Sequence, residues 1–234
     1  MGWMSAHEFI RAVTSGIEFL PLCPERGRRG PARSRRRSAQ NKARFCKDPV
    51  NYLPMHALNA GLVAAFPTAL REHVLAALEA FPEPEHPAAE GFSVKVDGEL
   101  VTIPYRLYHS PSQIKTEHLT DLEKEIVDCL LTRHHDGFVR EQHLERIIRS
   151  GNPWVPPFVV QLLGEYAIEI IGVIHEHLSS LDRLLYREFL QANPEFFTQT
   201  AQRVESYWDR YHRFHPRDEY VGFKVLEFFK SLVS

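Results

Sequence analysis

Residues 156–178 read PPFVVQLLGEYAIEIIGVIHEHL. Two prolines open the stretch, and proline suits a first helical turn because an N–H there has no intrahelical partner to lose. The positions Gln161, Glu165, Glu169, Gly172 and Glu176 recur at spacings of four, four, three and four. That spacing predicts one helix over 156–178 with a narrow polar stripe on an otherwise apolar cylinder. Such a helix must be surrounded by others, so it stands at the centre of a mainly α protein.

Working outward toward the carboxyl end, apolar residues at helical spacing predict helices over 181–191, 194–214 and 219–232, with Asn193 as the N-cap of the second. The last carries Val221, Val225, Leu226, Phe228, Phe229 and Leu232, too apolar for a free tail. Toward the amino end, residues 150–153 form a turn and a helix covers about 138–149. Ahead of it, Thr120 and Glu123 have the spacing of a capping box before Leu122, Ile126, Val127 and Leu130, and that helix should stop by Asp136-Gly137. Between 92 and 108 the period changes to two around Asp97-Gly98, a hairpin signal. A two-residue turn sets Val96 against Glu99, Val94 against Val101 and Phe92 against Ile103, which puts the last four on one face. Pro104 lacks a ladder donor and ends the pairing. Pro82, Pro84 and Pro87 make the preceding stretch a linker, and Pro67 opens a helix to about Phe81. The fold class is therefore mainly α, α+β at most: a helical bundle or short α-solenoid-like array with one β-hairpin packed on it.

The 234 residues carry a net charge of −2 that hides an asymmetry. Residues 26–47 hold ten Lys and Arg and no acid, whereas the other 212 residues hold 18 basic and 30 acidic side chains. Residues 1–54 divide into a short amphipathic helix, with Phe9, Ile10, Val13, Ile17 and Leu20, and an Arg-rich stretch with too few apolar residues to offset the entropy of ordering. This expects a disordered basic arm, followed over 55–234 by one mostly helical domain. Composition alone leaves a second reading of 1–54 open, namely that the native product starts at Met55. With 44% hydrophobic and 25% charged residues, the chain reads as a soluble globular protein. The best candidate for a membrane span, 155–174, is interrupted by Gln161, Glu165 and Glu169, and Arg11 and Glu18 interrupt the apolar amino terminus. Cys23, Cys46 and Cys129 form no CxxC pair, which disfavours a disulfide scaffold or structural zinc. These features point to a cytoplasmic protein.

Among thirteen histidines, His175 and His177 are two apart and point to opposite sides of a helix. His212 shares a face with Asp209 but has no second pair. No metal site and no cofactor is therefore expected. Glu165 and Glu169, one turn apart on the central helix, are the candidate catalytic carboxylates, with His134 and His135 as candidate partners. The competing reading is an ion-pair network with Arg133, Arg140, Arg146 and Arg149 on neighbouring helices. No nucleophile elbow, P-loop, dinucleotide fingerprint or zinc-protease motif occurs. Arg33, Arg35, Arg36 and Arg37 are candidate polyanion-binding residues, but the run has few interleaved aromatics for base stacking.

The run Asp136-Gly137-Phe138-Val139-Arg140, followed by Leu144, resembles the turn and second-helix start of a HEAT repeat. It covers fewer than ten residues and has no second copy at the roughly 40–47-residue period of such arrays. The resemblance implies packed antiparallel helices and nothing about partners. Taken together, the leading expectation is a non-catalytic interaction or scaffold module, binding a protein partner or itself, with no membrane association. The alternatives are an enzyme using Glu165 and Glu169, and a nucleic-acid binder using residues 26–47.

Overall fold

A computed structural model describes residues 61–234. The amphipathic helix and basic arm expected over 1–54, with Arg33, Arg35, Arg36 and Arg37, lie outside the described residues.

Eight α-helices and one two-stranded antiparallel sheet make up the described chain. After a 3-10 turn at Thr68–Leu70 come α1 (Arg71–Glu79) and the hairpin β1 (Gly91–Val96) and β2 (Glu99–Pro104). Then follow α2 (Asp121–Leu131), α3 (Gly137–Ile147), α4 (Pro156–Leu163) and α5 (Ile168–His177). Helices α6 (Arg183–Ala192), α7 (Pro194–Tyr207), a π-turn at Trp208–His212 and α8 (Val221–Val233) complete the order. The fold is mainly α with one hairpin, as the periodicities predict.

Local chemistry accounts for the element boundaries. Thr120 and Glu123 form the complete capping box of α2, each side chain taking the other's backbone N–H. Asp136 caps α3 by accepting from the Phe138 N–H, and Asp182 caps α6 through the N–H groups of Leu184 and Leu185. Asp97 and Gly98 both take positive φ, 49° and 81°, as a hairpin turn whose twist matches its strands requires. The register follows: Val96 pairs with Glu99, Val94 with Val101 and Phe92 with Ile103. All of these apolar residues are buried.

The hairpin is anchored on both edges. Thr102 donates its backbone N–H to the Ala64 carbonyl, and the Asn193 side chain grips Lys95 by accepting from its N–H and donating to its carbonyl. Asn193 therefore precedes α7 without capping it, because its amide is committed to the hairpin and to the Phe189 carbonyl. The Pro-rich stretch after α1 is also not a loose linker. Glu85 donates to the Tyr108 carbonyl, Ala89 to that of Arg106, and Tyr105 returns a bond to Glu90.

The central helix is corrected as well. Residues 156–178 are two helices, because the chain leaves the helix at Gly164 and re-enters it after Ala167. The interruption spans close to one 3.6-residue turn, so the polar stripe keeps its spacing across the break and periodicity cannot reveal it. A side chain at Gly164 would meet Arg203 Cδ at 3.2 Å, so α7 lies close against the break. Every residue of α4 is buried, and α5, α6, α7 and α8 all pack against it. Helices α1, α2, α3 and α5 pack in succession, each on the next.

Candidate functional site

Five chain segments converge on Glu165. Leu107 pairs with the loop after α2 by donating to the Arg133 carbonyl and accepting from the His135 N–H. That short bridge brings Arg106, just past the hairpin, beside Arg133 at the end of α2. Arg140 enters from α3 and Arg203 from α7, while Glu165 descends from the α4–α5 break. Glu165 Oε2 accepts from Arg106 Nη2 at 2.8 Å and from Arg140 Nη2 at 3.4 Å, and Oε1 lies 4.0 Å from Arg133 Nη2. Tyr105 links Arg203 to the group, its hydroxyl accepting from Arg203 Nη2 at 3.1 Å and its ring lying beneath that guanidinium.

Burial makes this cluster costly unless its charges are balanced. Glu165 is 3% exposed, Arg133 is fully buried, and Arg140 is 1% exposed. Arg140 Nη1 donates to the carbonyls of His134 and His135, and Arg133 Nε to that of Thr132. Neither terminal nitrogen of Arg133, nor Arg140 Nε, has a hydrogen-bond partner among the described residues. Desolvation pulls the Arg133 pKa down; Glu165 opposes the shift, and the charges of Arg106, Arg140 and Arg203 add to it. Three guanidiniums thus share one internal carboxylate, with Arg203 held at the edge of the group by Tyr105.

The two glutamates expected as a pair are separated by the helix break. Glu165 is enclosed by arginine outside both helices, whereas Glu169 is half-buried in the first turn of α5. Glu169 acts instead on Glu141 of α3, whose carboxyl is raised by burial first and then by the charges of Glu169 and Glu145. Of the four arginines expected near the carboxylates, Arg133 and Arg140 reach Glu165. Arg146 pairs with Asp128 at 3.1 Å, and Arg149 contacts His177. Arg106 and Arg203 carry no sequence signal of membership, because neither shares a helix face with any other member.

His134 is a structural histidine. Its Nε2 donates to the His109 carbonyl at 2.8 Å and its Nδ1 accepts from the Asp136 N–H at 3.0 Å, a pattern that only the neutral ring satisfies. Burial, the largest influence, lowers its pKa. His135 is exposed and stacks on Tyr108. His109, absent from the sequence-derived candidates, is 3% exposed and packs edge-on to Phe81. Desolvation, reinforced by His134, brings it down to about 4. His212 does not work with Asp209, which is taken by Arg213; its Nε2 meets the Tyr166 carbonyl. Among the described residues no group of three or more His, Cys, Asp or Glu side chains is placed to hold a metal. Cys129 is buried, and burial pushes its thiol well above the usual range.

Next to the arginines lies an exposed aromatic surface. Tyr207 is one turn beyond Arg203 on α7, which puts both on one face. Tyr166, Tyr207 and Tyr211 form a triangle with ring centroids 6.0–6.4 Å apart. Arg210 lies over Tyr211, and Phe214 beyond it is 76% exposed. Among the described residues no helix is long and apolar enough to cross a membrane. Comparison with protein-family models, characterised proteins and solved structures finds no match for this chain.

Proposed function

We propose that the protein is a non-catalytic interaction module whose partner face is the aromatic and basic surface formed by Tyr166, Tyr207, Tyr211 and Phe214 with Arg210. The observation that carries this reading is the enclosure of Glu165. A general acid or base must reach the proton that it moves, and both Glu165 oxygens face arginine. His134 uses both ring nitrogens to hold the backbone. The aromatic face, by contrast, has the composition of an interface hot spot, where tyrosine and arginine provide rigid contact area at low entropic cost. Half or more of the area of Tyr166, Tyr211 and Phe214 is open to solvent.

Affinity capture with the full chain tests this reading, compared with a Tyr211→Ser/Phe214→Ser double variant of unchanged circular dichroism. The expected result is a specific protein, or a second copy of the chain detected by sedimentation, that the variant no longer holds. Equal retention by the variant would remove the face from the proposal. Binding of a divalent ion by Glu165 and Glu169 in a calorimetric titration would restore the catalytic reading.

A further inference from the structure

We propose that the arginine cluster around Glu165 binds a phosphate oxyanion at its solvent-facing edge, formed by Arg106 and Arg203. This goes beyond the partner face and does not depend on it.

Charge balance is the first ground. Among the described residues Glu165 is the one carboxylate within ion-pair distance of Arg106, Arg133 or Arg140, and Arg203 has none. Asp136 also acts on Arg140, but its side chain is exposed and caps α3. Positive charge is left in excess inside a protein, where an unpaired charge is costly. A buried salt-bridge network built for stability alone would be expected to match acids to bases.

Unused donors are the second ground. Both terminal nitrogens of the fully buried Arg133 and the Nε of Arg140 have no hydrogen-bond acceptor among the described residues; sealed from solvent, they do not touch a ligand at the edge but leave their positive charge unquenched behind it. Guanidinium forks match oxyanions in geometry and charge. A carboxylate ligand adds one negative charge, as Glu165 already does, whereas a phosphate monoester carries about 1.5–2 at neutral pH with three acceptor oxygens.

Access is the third. The Arg106 side chain is 28% exposed and Arg203 is half-buried, so the cluster reaches solvent through these two side chains, both of which donate hydrogen bonds to Tyr105. An aromatic ring carried by the phosphate can stack there. That chemistry describes a nucleotide as well as free phosphate, and the two sources are separable.

The test is isothermal titration of the full chain with inorganic phosphate and, separately, with adenosine 5′-monophosphate at low ionic strength. Saturable one-to-one binding is expected, weakened at least tenfold in Arg106→Gln and in Arg203→Gln. Each substitution is at a partly exposed arginine, and each variant is checked for unchanged circular dichroism. A control that removes more positive charge than either test variant, Arg35→Gln/Arg36→Gln/Arg37→Gln in the basic amino-terminal stretch, should bind as the unsubstituted chain does. Tighter binding of the nucleotide supports the site with the tyrosines contributing, and equal binding supports it through the phosphate alone. A second readout uses Glu165→Gln. Phosphate should raise its melting temperature by more than that of the unsubstituted chain, because the ligand replaces the missing acid. Absence of binding by both probes, or binding lost in the Arg35/Arg36/Arg37 control and kept in Arg106→Gln and Arg203→Gln, would overturn the proposal.

Discussion

Acid works against this fold through its buried imidazoles. His109 titrates at about 4 in the folded chain because burial disfavours the charged ring, against about 6.5 when unfolded. Between those values the unfolded chain binds a proton that the native one does not, so stability is full above pH 6.5 and falls as the pH drops toward 4. His134 is shifted in the same direction. We expect a loss of roughly 2 kcal/mol from His109 by pH 5. Urea unfolding at pH 7 and pH 5 should show it, and His109→Leu should remove most of the difference. An equal pH dependence in that variant would assign the loss to other groups.

The hairpin is the element in which local rules act most directly. No heavy atom lies within 4 Å of a Cβ built on Gly98, so the cost of a side chain there is purely conformational. The φ of 81° falls in the region that β-branched residues avoid. Gly98→Val should therefore destabilise by about 1–2 kcal/mol, whereas Gly98→Asn, which tolerates positive φ, should cost less. Thermal unfolding of the two variants distinguishes backbone strain from lost packing, which would penalise both alike. Asn193 shows the opposite behaviour at the same scale. Its position predicts a cap, yet its side chain serves a strand about a hundred residues away in sequence.

At the scale of the whole described chain, α4 and α5 are the hub on which α3, α6, α7 and α8 pack. Ile171 is fully buried there, while Ile168, at the start of α5, is only partly so. Ile171→Ala should cost about 2–5 kcal/mol through the cavity it leaves in a close-packed interior. Ile168→Ala should cost less, since the surroundings of a half-exposed site can relax. Equal urea midpoints for the two variants would contradict the central place of α5.

What the sequence by itself determined is what short-range chemistry controls. The Asp97-Gly98 turn sets the register of its strands, the Thr120–Glu123 box starts α2, and periodicity identifies the helices and their apolar faces. The Thr120 signal survives in detail because its partner, Glu123, lies three residues away; Asp136, where the preceding helix is expected to stop, caps the next one at Phe138. The tertiary structure alone decided the break at Gly164 and the membership of the cluster around Glu165. A gap of about one turn leaves the polar stripe in phase, so no local pattern records it. Arg106 and Arg203 join through long side chains from separate elements, 59 and 38 residues from Glu165 in sequence. Their meeting depends on how α7, the α4–α5 break and the segment after the hairpin pack together, a sum of many weak apolar contacts that no single residue spacing encodes.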